Sequence, residues 1–455
     1  MISGGNPPHA GIGGTEDTIV AIGTVPGRGA IAAIRISGKK AFEIASLHLK
    51  PWPITARQMT LCKVVDGDVV LDEALAVFYP DPDSFTGEDV VEVFTHGGYV
   101  VPTSVVEALT KSGARQASPG EFTRRAVLNG KLDIVQAEAI GDLVDARSTA
   151  MQRAALYHLE GGLSARIAAL RSDIIELESL IAYDVDFPEE DDGPISSERI
   201  LESARKLLGS LDLLLATIPI GQIVREGAIV VIAGEPNVGK SSLFNALLGE
   251  GRAIVTEIPG TTRDSIEVAM DAGQWPIRLI DTAGLRESTD LVERLGIEIS
   301  ERHISAAHLV LACGDTEDSL NRTLGVVAGL TKSPIVPVFT KSDQRDQRDQ
   351  GTGVSSVTGQ GLGRLKDEIN ETISRTYGEI TVEIPVLTRA RQIHAISQAR
   401  EEIDAFITSW EMDQLPAPIV AVHLRSAAVA LEEIIGAIST DDVLERVFSS
   451  FCVGK

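Results

Sequence analysis

The sequence predicts a multidomain protein: an N-terminal α+β domain, an all-α helical domain, and an α/β domain with a parallel sheet inserted into the helical one. The chain has 455 residues, too many for one ordinary core. Three short apolar runs, AIVVIAG, LVLAC and SPIVPVFT, alternate with helical patterns, which is typical of a parallel sheet with crossover helices. Apolar residues at steps of three or four on both sides of these runs indicate helices.

The composition is that of a globular protein, with 44% hydrophobic and 23% charged residues. Cys62, Cys313 and Cys452 lie far apart, so we expect neither a disulfide framework nor a zinc site, but a reducing, cytoplasmic environment. The net charge of -24 argues against a broad basic surface that coats nucleic acid, although a local patch could still hold RNA. No run of about 18 apolar residues occurs, so no membrane span is expected. No membrane is expected among the partners.

The first part of the chain predicts a leader and a compact domain. Residues 1–16 are polar and rich in Gly and Pro, which predicts a disordered leader and not a signal peptide. Residues 17–120 predict the α+β domain, because 18–38, 68–80 and 89–94 are rich in strand-forming residues. The segment SFTGED is the predicted turn between the last two.

Residues 121–226 predict the first part of the helical domain. We expect one long helix here, because eight apolar residues recur at helical spacing: Leu156, Leu159, Leu163, Ile167, Leu170, Ile174, Leu177 and Ile181. The acidic run DFPEEDDGPISSE should end it as a loop, and a further helix is expected over 197–217.

Residues 227–378 form the predicted α/β insertion, and residues 379–455 form the second part of the helical domain. Helical patterns cover 388–410, 418–437 and 440–450, and the tail FCVGK follows them.

The segment GEPNVGKS, Gly234 to Ser241, matches the phosphate-loop pattern G-x-x-x-x-G-K-[ST]. It follows an apolar strand and opens a helix, and this context disfavours a purely structural Gly-rich turn. Backbone N–H groups of such a loop face phosphates, Lys240 would reach the β- and γ-phosphates, and Ser241 would ligate Mg²⁺.

Four further motifs follow in the order of a GTP-binding domain. They are PGTTRD (Pro259 to Asp264), DTAG (Asp281 to Gly284), TKSD (Thr340 to Asp343) and SSVTG (Ser355 to Gly359). The carboxylate of Asp343 would accept the N1–H and 2-amino protons of guanine, which adenine cannot match. Each motif alone is a weak signal, but the ordered set predicts GTP and not ATP as the ligand.

One expected residue is missing. Ras-like proteins place a Gln after Asp-x-x-Gly to orient the attacking water, and here Leu285 stands in that position. The nearby carboxylates are Glu287 and Glu293. A water-orienting role and a plain solvated helix both remain open for them on the residues alone.

Outside the GTP motifs, four segments carry a resemblance to a known family: VPGRGAIAAIRISG, SFTGEDVVEVFTHGG, PGEFTRRAVLNGKLDIVQAEAIGDLVDA and the terminal FCVGK. With them the chain resembles, over residues 17–455, the MnmE (TrmE) family of bacterial tRNA-modification GTPases. It implies a homodimer that acts with the FAD-dependent protein MnmG in a heterotetramer. The implied reaction adds an aminomethyl or carboxymethylaminomethyl group to C5 of the wobble uridine of certain tRNAs.

The resemblance also implies that the N-terminal domain binds a tetrahydrofolate derivative, in the 5-formyl or 5,10-methylene form, and dimerises the chain. Motif matching places the folate contacts at Arg35, Glu92, Lys131 and Lys455. A carboxylate suits the pterin ring and cations suit the glutamate tail of folate.

In the GTPase domain the resemblance implies dimerisation across the nucleotide, with K⁺ in the place of an arginine finger. Glu293 matches the carboxylate that orients water. The K⁺ ligands would be Asn237, Thr256, Ile258 and Thr261, and the Mg²⁺ ligands Ser241 and Thr262. The full set placed around GTP is Asn237, Val238, Gly239, Lys240, Ser241, Ser242, Thr256, Glu257, Ile258, Pro259, Gly260, Thr261, Thr262, Asp281, Thr282, Ala283, Gly284, Thr340, Lys341, Ser342, Asp343, Ser355, Ser356 and Val357.

The chain departs from the family pattern in the guanine motif, where Thr340 replaces Asn, and in Ser-Ser-Val, where Ser-Ala-x is usual. Threonine offers one hydroxyl on a short stem, so we predict weaker nucleotide binding. Specificity for guanine should remain, because Asp343 is present.

The residues admit three alternatives. The GTP motifs alone fit a binding-type GTPase switch in ribosome assembly. A prenylated small GTPase is disfavoured, because Gly454 and Lys455 do not fit the C-a-a-X pattern at Cys452. Cys452 as a catalytic thiol is disfavoured by the lack of a neighbouring base in the tail, and we expect Lys455 to complete the folate pocket.

Overall fold

The computed structural model describes residues 17–186, 196–250, 266–271, 274–281, 301–344, 352–378, 385–412 and 414–436, together with 448, 451 and 454. The predicted leader 1–16, most of the acidic run and all but residue 448 of the predicted helix 440–450 lie outside these residues. The chain divides into two compact units, 1–141 with 435–455, and 142–434.

The first unit is built on a seven-stranded sheet with the order β3-β4-β5-β6-β2-β1-β7. The strands are β1 (Ile19–Ile22), β2 (Gly27–Ser37), β3 (Leu49–Lys50), β4 (Thr60–Asp66), β5 (Val69–Tyr79), β6 (Val90–Gly98) and β7 (Arg115–Gln116). The helices are α1 (Ala41–His48), α2 (Val100–Lys111), α3 (Glu121–Leu128) and α4 (Ile134–Val144), the last crossing the division between the units.

Side chains that alternate along the strands decide which face of this sheet is buried. On β4, Cys62 and Val64 are buried against α1 and α2, whereas Leu61 and Lys63 are exposed. The strand patterns predicted at 18–38, 68–80 and 89–94 are confirmed.

The helical part of the second unit comes from two separate chain segments. Its helices are α5 (Thr149–Leu159), α6 (Gly162–Asp186), α7 (Ser197–Leu215), α8 (Ile218–Glu226), α13 (Ala390–Met412), α14 (Ala417–Val420) and α15 (Val422–Ile435). Helices α7 and α13 pack together, and Arg400 Nε donates to Asp212 Oδ1 at 3.1 Å across them. The chain between these segments forms the α/β domain, so the predicted insertion is confirmed.

The prediction of one continuous helix through Leu156 and Ile181 was wrong. Two helices, α5 and α6, replace it, because Gly161 has φ +87 and ends the first one. The six apolar residues from Leu163 to Ile181 are buried as predicted, but Leu156 is 37% exposed. The break changes the face that α5 turns toward the core.

Among the described residues, Ser197–Glu226 is the one helical stretch long and apolar enough to cross a membrane by length and composition. A single such stretch is a weak indication, because a core helix of a soluble protein passes the same test. Here the stretch is α7 followed by α8, and α7 buries Ala204, Leu207 and Leu211 inside the helical domain.

The α/β domain has a six-stranded sheet with the order β13-β12-β11-β8-β10-β9. All neighbours are parallel except β9 and β10. The strands are β8 (Ala228–Gly234), β9 (Ile266–Asp271), β10 (Pro276–Asp281), β11 (Leu309–Gly314), β12 (Ile335–Phe339) and β13 (Thr352–Gly353). The helices are α9 (Lys240–Glu250), α10 at 301–306 in the described residues, α11 (Glu317–Leu330) and α12 (Leu362–Tyr377).

The predicted runs AIVVIAG, LVLAC and SPIVPVFT contain β8, β11 and β12. They are apolar on both faces because helices cover the sheet on both sides. The parallel order brings the carboxyl ends of β8, β10, β11 and β12 to one edge, where the described residues of the GTP motifs lie.

Candidate functional site

The phosphate loop joins β8 to α9. Gly234 ends β8, and a Cβ there would lie 2.6 Å from the carbonyl oxygen of Cys313, so β11 requires glycine at this position. Asn237 has φ +64, a left-handed conformation that Asn tolerates. The ammonium of Lys240 is buried and donates to the carbonyl oxygen of Glu235 at 2.8 Å. The loop is therefore a closed turn with a lysine held over it, as phosphate binding requires.

The side chain of Glu235 anchors this loop to α11. Arg322 binds it through two N–H groups, Nε to Oε1 at 2.7 Å and Nη2 to Oε2 at 3.1 Å, and Ser319 Oγ donates to Oε2 at 2.8 Å. The hydrogen bonds from Arg322 and then Ser319 lower the pKa of Glu235 to about 2. Sequence reasoning missed this anchor, because no local pattern connects the loop to α11.

Two residues of the guanine motif also contact the phosphate loop. The buried hydroxyl of Thr340 donates to the carbonyl oxygen of Val238. Lys341 Nζ donates to the carbonyl oxygen of Asn237 at 2.8 Å and lies 3.0 Å from Asp315 Oδ2. Thr340 therefore links the guanine motif to the phosphate loop. Replacement of Asn by Thr in the motif did not by itself predict this contact.

The structure also brings the two base-binding motifs together. Ser342 N–H donates to the carbonyl oxygen of Val354 at 3.1 Å, one residue before the Ser-Ser-Val segment. Asp343 is exposed at this edge, so its carboxylate is accessible to a nucleotide base. Ser355 is buried, and its hydroxyl accepts the N–H of Thr358 at 3.2 Å, which shapes the second loop.

The structure describes only some of the residues predicted to lie near Mg²⁺ and the phosphates. Asp281 is buried at the end of β10, opposite Ile232 of β8. Ser241 and Ser242 are exposed in the first turn of α9. The remaining predicted positions lie outside the described residues: Thr256, Glu257, Ile258, Pro259, Gly260, Thr261, Thr262, Thr282, Ala283, Gly284, Glu293, Cys452 and Lys455. Their roles stay predictions.

In the N-terminal domain, Arg35 of β2 and Glu92 of β6 lie directly opposite each other. Arg35 donates to Glu92 Oε1 through Nε at 2.7 Å and Nη2 at 2.6 Å. The guanidinium carbon lies 5.4 Å from the ring centroid of Phe85 and 5.6 Å from that of Phe122. The site therefore offers a carboxylate, a cation and aromatic rings side by side, and the sequence reasoning missed the two phenylalanines.

Lys131 lies against the loop that carries Phe85. Its Nζ donates to the carbonyl oxygen of Pro82 at 3.1 Å. A Cβ at Gly87 would lie 3.2 Å from Lys131 Cγ, so the loop passes close to the lysine stem. The structure thus connects this predicted folate residue to the same loop as Phe85.

The chain end packs on the N-terminal domain. Gly454 is buried with φ +94, and a Cβ there would lie 2.6 Å from the carbonyl oxygen of Ile22. Ile22 ends β1, which pairs with the strand that carries Arg35. Phe448 is buried in a cluster with Ile134. The described tail residue Gly454 therefore lies beside this end of the sheet.

A buried charge network holds α3 to the start of β1. Arg125 donates to Asp17 Oδ1 at 2.6 Å, Glu121 Oε1 at 3.0 Å and Glu88 Oε1 at 3.1 Å. Arg115 binds both oxygens of Glu121, at 2.6 and 3.1 Å. Helix α3 also carries Phe122, so the network fixes one of the rings beside Arg35.

The parallel sheet, the phosphate loop and the guanine motif at one edge define a GTPase domain. In the sequence it is inserted in a helical domain that follows an α+β domain. Residues 18–131 match the family model of the GTP-binding protein TrmE N-terminus, and residues 134–452 match that of the MnmE helical domain. The chain belongs to the MnmE family of tRNA modification GTPases.

Two curated relatives illustrate the match. The tRNA modification GTPase MnmE of Moorella thermoacetica is 39% identical over 464 residues, covering 97% of this chain and 100% of that protein. The one of Aquifex aeolicus is 37% identical over 450 residues, with 97% and 100% covered. The G domain of the T. maritima FeoB iron transporter is 28% identical and covers 33% of this chain and 99% of that one, with a TM-score of 0.26. The resemblance to the MnmE family and the GTP-hydrolysing activity are confirmed by the relatives.

Proposed function

We propose that this cytoplasmic GTPase acts with FAD-dependent MnmG on tRNA, and that together they add an aminomethyl or carboxymethylaminomethyl group to C5 of the wobble uridine. The observation that carries the proposal is the cluster of Arg35, Glu92 and the ring of Phe85 on the N-terminal sheet, which we interpret as a second ligand site. A GTPase switch in ribosome assembly would have no use for such a site.

The residues of this second site fit a folate. The half-buried carboxylate of Glu92 can accept the amino and N–H protons of a pterin, and the exposed edge of Phe85 can pack on its ring. Lys131 is a cation suited to the glutamate tail, whereas Arg35, which is bonded to Glu92, would orient that carboxylate beside the pterin. A tetrahydrofolate derivative, in the 5-formyl or 5,10-methylene form, would supply the one-carbon unit there.

The chain end should complete this site through Lys455. The packing of Gly454 against Ile22 supports this, because only glycine fits at φ +94 so close to a carbonyl oxygen. Gly454→Ala and deletion of Lys455 should each weaken 5-formyltetrahydrofolate binding about tenfold or more, measured by calorimetry on the full chain. Gly67→Ala is the matched control, since Gly67 has φ +61 but an added Cβ there meets nothing within 4 Å. Unchanged affinity in both tail variants would remove the chain end from the site.

The nucleotide site should hold Mg²⁺ through Ser241 and Thr262, and K⁺ through Asn237, Thr256, Ile258 and Thr261. Asn237 is exposed on the phosphate loop, and its carbonyl is held by Lys341, so its side chain stays available for a cation. Oxygen ligands suit both ions. In this proposal the two GTPase domains of a homodimer meet across the nucleotide, and Glu293 orients the attacking water.

Two measurements test these parts separately. GTP turnover by the full chain should be faster in K⁺ than in Na⁺, and Asn237→Ala should lose the difference; equal wild-type rates in both salts would refute the cation assignment. Mass spectrometry of wobble uridines from a deletion strain should show loss of the modification. Normal uridine modification there would instead favour the ribosome-assembly switch.

A further inference from the structure

Two consecutive residues after β12 use their side-chain donors on two consecutive carbonyls of the phosphate loop. Thr340 Oγ1 donates to Val238 O, and Lys341 Nζ donates to Asn237 O at 2.8 Å. We call these four residues the loop clasp. The clasp connects the guanine motif to the phosphate loop through protein groups.

The Thr340 hydroxyl can donate only one hydrogen bond, because a hydroxyl carries one proton. The Thr340 hydroxyl is buried, with only 2% of the residue exposed, and a second carbonyl oxygen, Gly314 O, lies 3.3 Å away. With two carbonyl acceptors facing it, the hydroxyl has no proton left for a nucleotide. The ammonium of Lys341 is directed to Asn237 O and to the carboxylate of Asp315.

Guanine presents two different edges to a protein. The edge with N1–H and the 2-amino group carries donors, which a carboxylate reads. The edge with N7 and O6 carries only acceptors, so a protein reads it with N–H or O–H groups. Asp343 is exposed three residues after Thr340 and can read only the first edge.

We propose that this GTPase selects guanine through the N1–H and 2-amino edge that Asp343 reads. Thr340 is then a positioning residue, whose hydroxyl holds the phosphate loop and does not read N7. The accepted ligands then include guanine nucleotides altered at N7. The inference rests on the guanine-reading role of TKSD, and it adds that the Thr340 hydroxyl is committed to the phosphate loop and does not read N7.

The experiment is equilibrium competition against a fluorescent GDP analogue on the full-length chain with Mg²⁺. The competitors are GDP, 7-deaza-GDP, which lacks only the N7 acceptor, and IDP, which lacks the 2-amino group. We expect 7-deaza-GDP to bind within about twofold of GDP and IDP about tenfold more weakly. A tenfold loss for 7-deaza-GDP would overturn the inference. Equal binding of IDP and GDP would overturn it differently, by removing the guanine-reading role of Asp343.

Substitutions at position 340 separate positioning from base reading. Thr340→Val keeps the shape and removes the hydroxyl, so Val238 O loses its donor and both GDP and 7-deaza-GDP should bind about tenfold more weakly. Thr340→Ser keeps the hydroxyl and should retain affinity for both. Thr340→Asn has two N–H donors, one for Val238 O and one for N7, so it should bind GDP more tightly than 7-deaza-GDP. If Thr340→Val weakens GDP alone, the hydroxyl reads N7 and the inference fails.

Discussion

The charge network around Arg125 allows a quantitative prediction about the N-terminal domain. The Arg125 side chain is 4% exposed and binds three carboxylates, those of Asp17, Glu88 and Glu121. We consider Arg125→Met, which keeps much of the volume and removes the charge. The substitution leaves Glu88 and Glu121 buried without their shared cation.

Removing one partner of a buried ion pair costs about 3–5 kcal/mol, mostly because the remaining charge stays desolvated. Glu121 keeps its bidentate contact with Arg115, so we expect the lower end, about 3 kcal/mol. This corresponds to roughly a hundredfold change in the equilibrium for local opening.

Hydrogen–deuterium exchange on the full-length chain measures this opening where it occurs. Amides of β1 and β2 should lose roughly a hundredfold in protection in Arg125→Met. Arg57→Met is the control, because Arg57 is half exposed and its pair with Asp83 spans 3.6 Å. The control should change stability by less than about 1 kcal/mol. Protection within about threefold of wild type in Arg125→Met would refute the reasoning.

The same network makes the domain sensitive to acid. Burial raises the pKa of Glu121, but hydrogen bonds from Arg115, Ser118 N–H and Arg125 outweigh it, so its pKa lies below the ordinary 4.5. A carboxyl group with a lowered folded-state pKa stabilises the fold above its unfolded pKa. That stability is lost as the pH falls through the folded value. Arg125→Met removes one of the hydrogen bonds that lower this pKa. The free energy of unfolding of the variant should therefore fall less than that of the wild type as the pH drops through the range where Glu121 titrates.

Two further predictions concern the second unit. Gly221→Ala should destabilise this unit by about 1–3 kcal/mol in thermal unfolding, because the added Cβ would lie 1.9 Å from Leu387 O. The control Gly209→Ala lies in open space on α7 and should stabilise the unit by about 1 kcal/mol. Equal effects of the two substitutions would contradict the packing at Gly221. His308 Nδ1 accepts the N–H of Ile229 at 2.9 Å, and burial and then the charge of Arg278 lower its pKa below 6.5. The folded state then binds fewer protons than the unfolded state, so the melting temperature should fall as the pH drops below 6.5, and His308→Gln should remove that part of the slope.

The phosphate loop was predictable from sequence because its chemistry is local. The end of a strand, a Gly-rich turn and the start of a helix follow one another from Gly234 to Ser241, so the pattern that predicts the loop is contiguous in the sequence. The strands were predictable for a similar reason, since burial on both faces leaves a continuous apolar run. The long helix was mispredicted because the spacing of apolar residues does not show that Gly161 adopts a positive φ, which ends the first helix.

The contacts between loops could not be predicted. Thr340 appeared only as a weaker substitute for Asn, yet its hydroxyl meets Val238, more than a hundred residues earlier, because β8 and β12 both flank β11. The pairs Glu235–Arg322 and Asp17–Arg125 likewise bring together side chains that are far apart in the sequence. The sequence by itself determined the local motifs, the apolar runs and the family. Only the tertiary structure decided which distant donors and acceptors meet, because strand order places them together and no local spacing records that order.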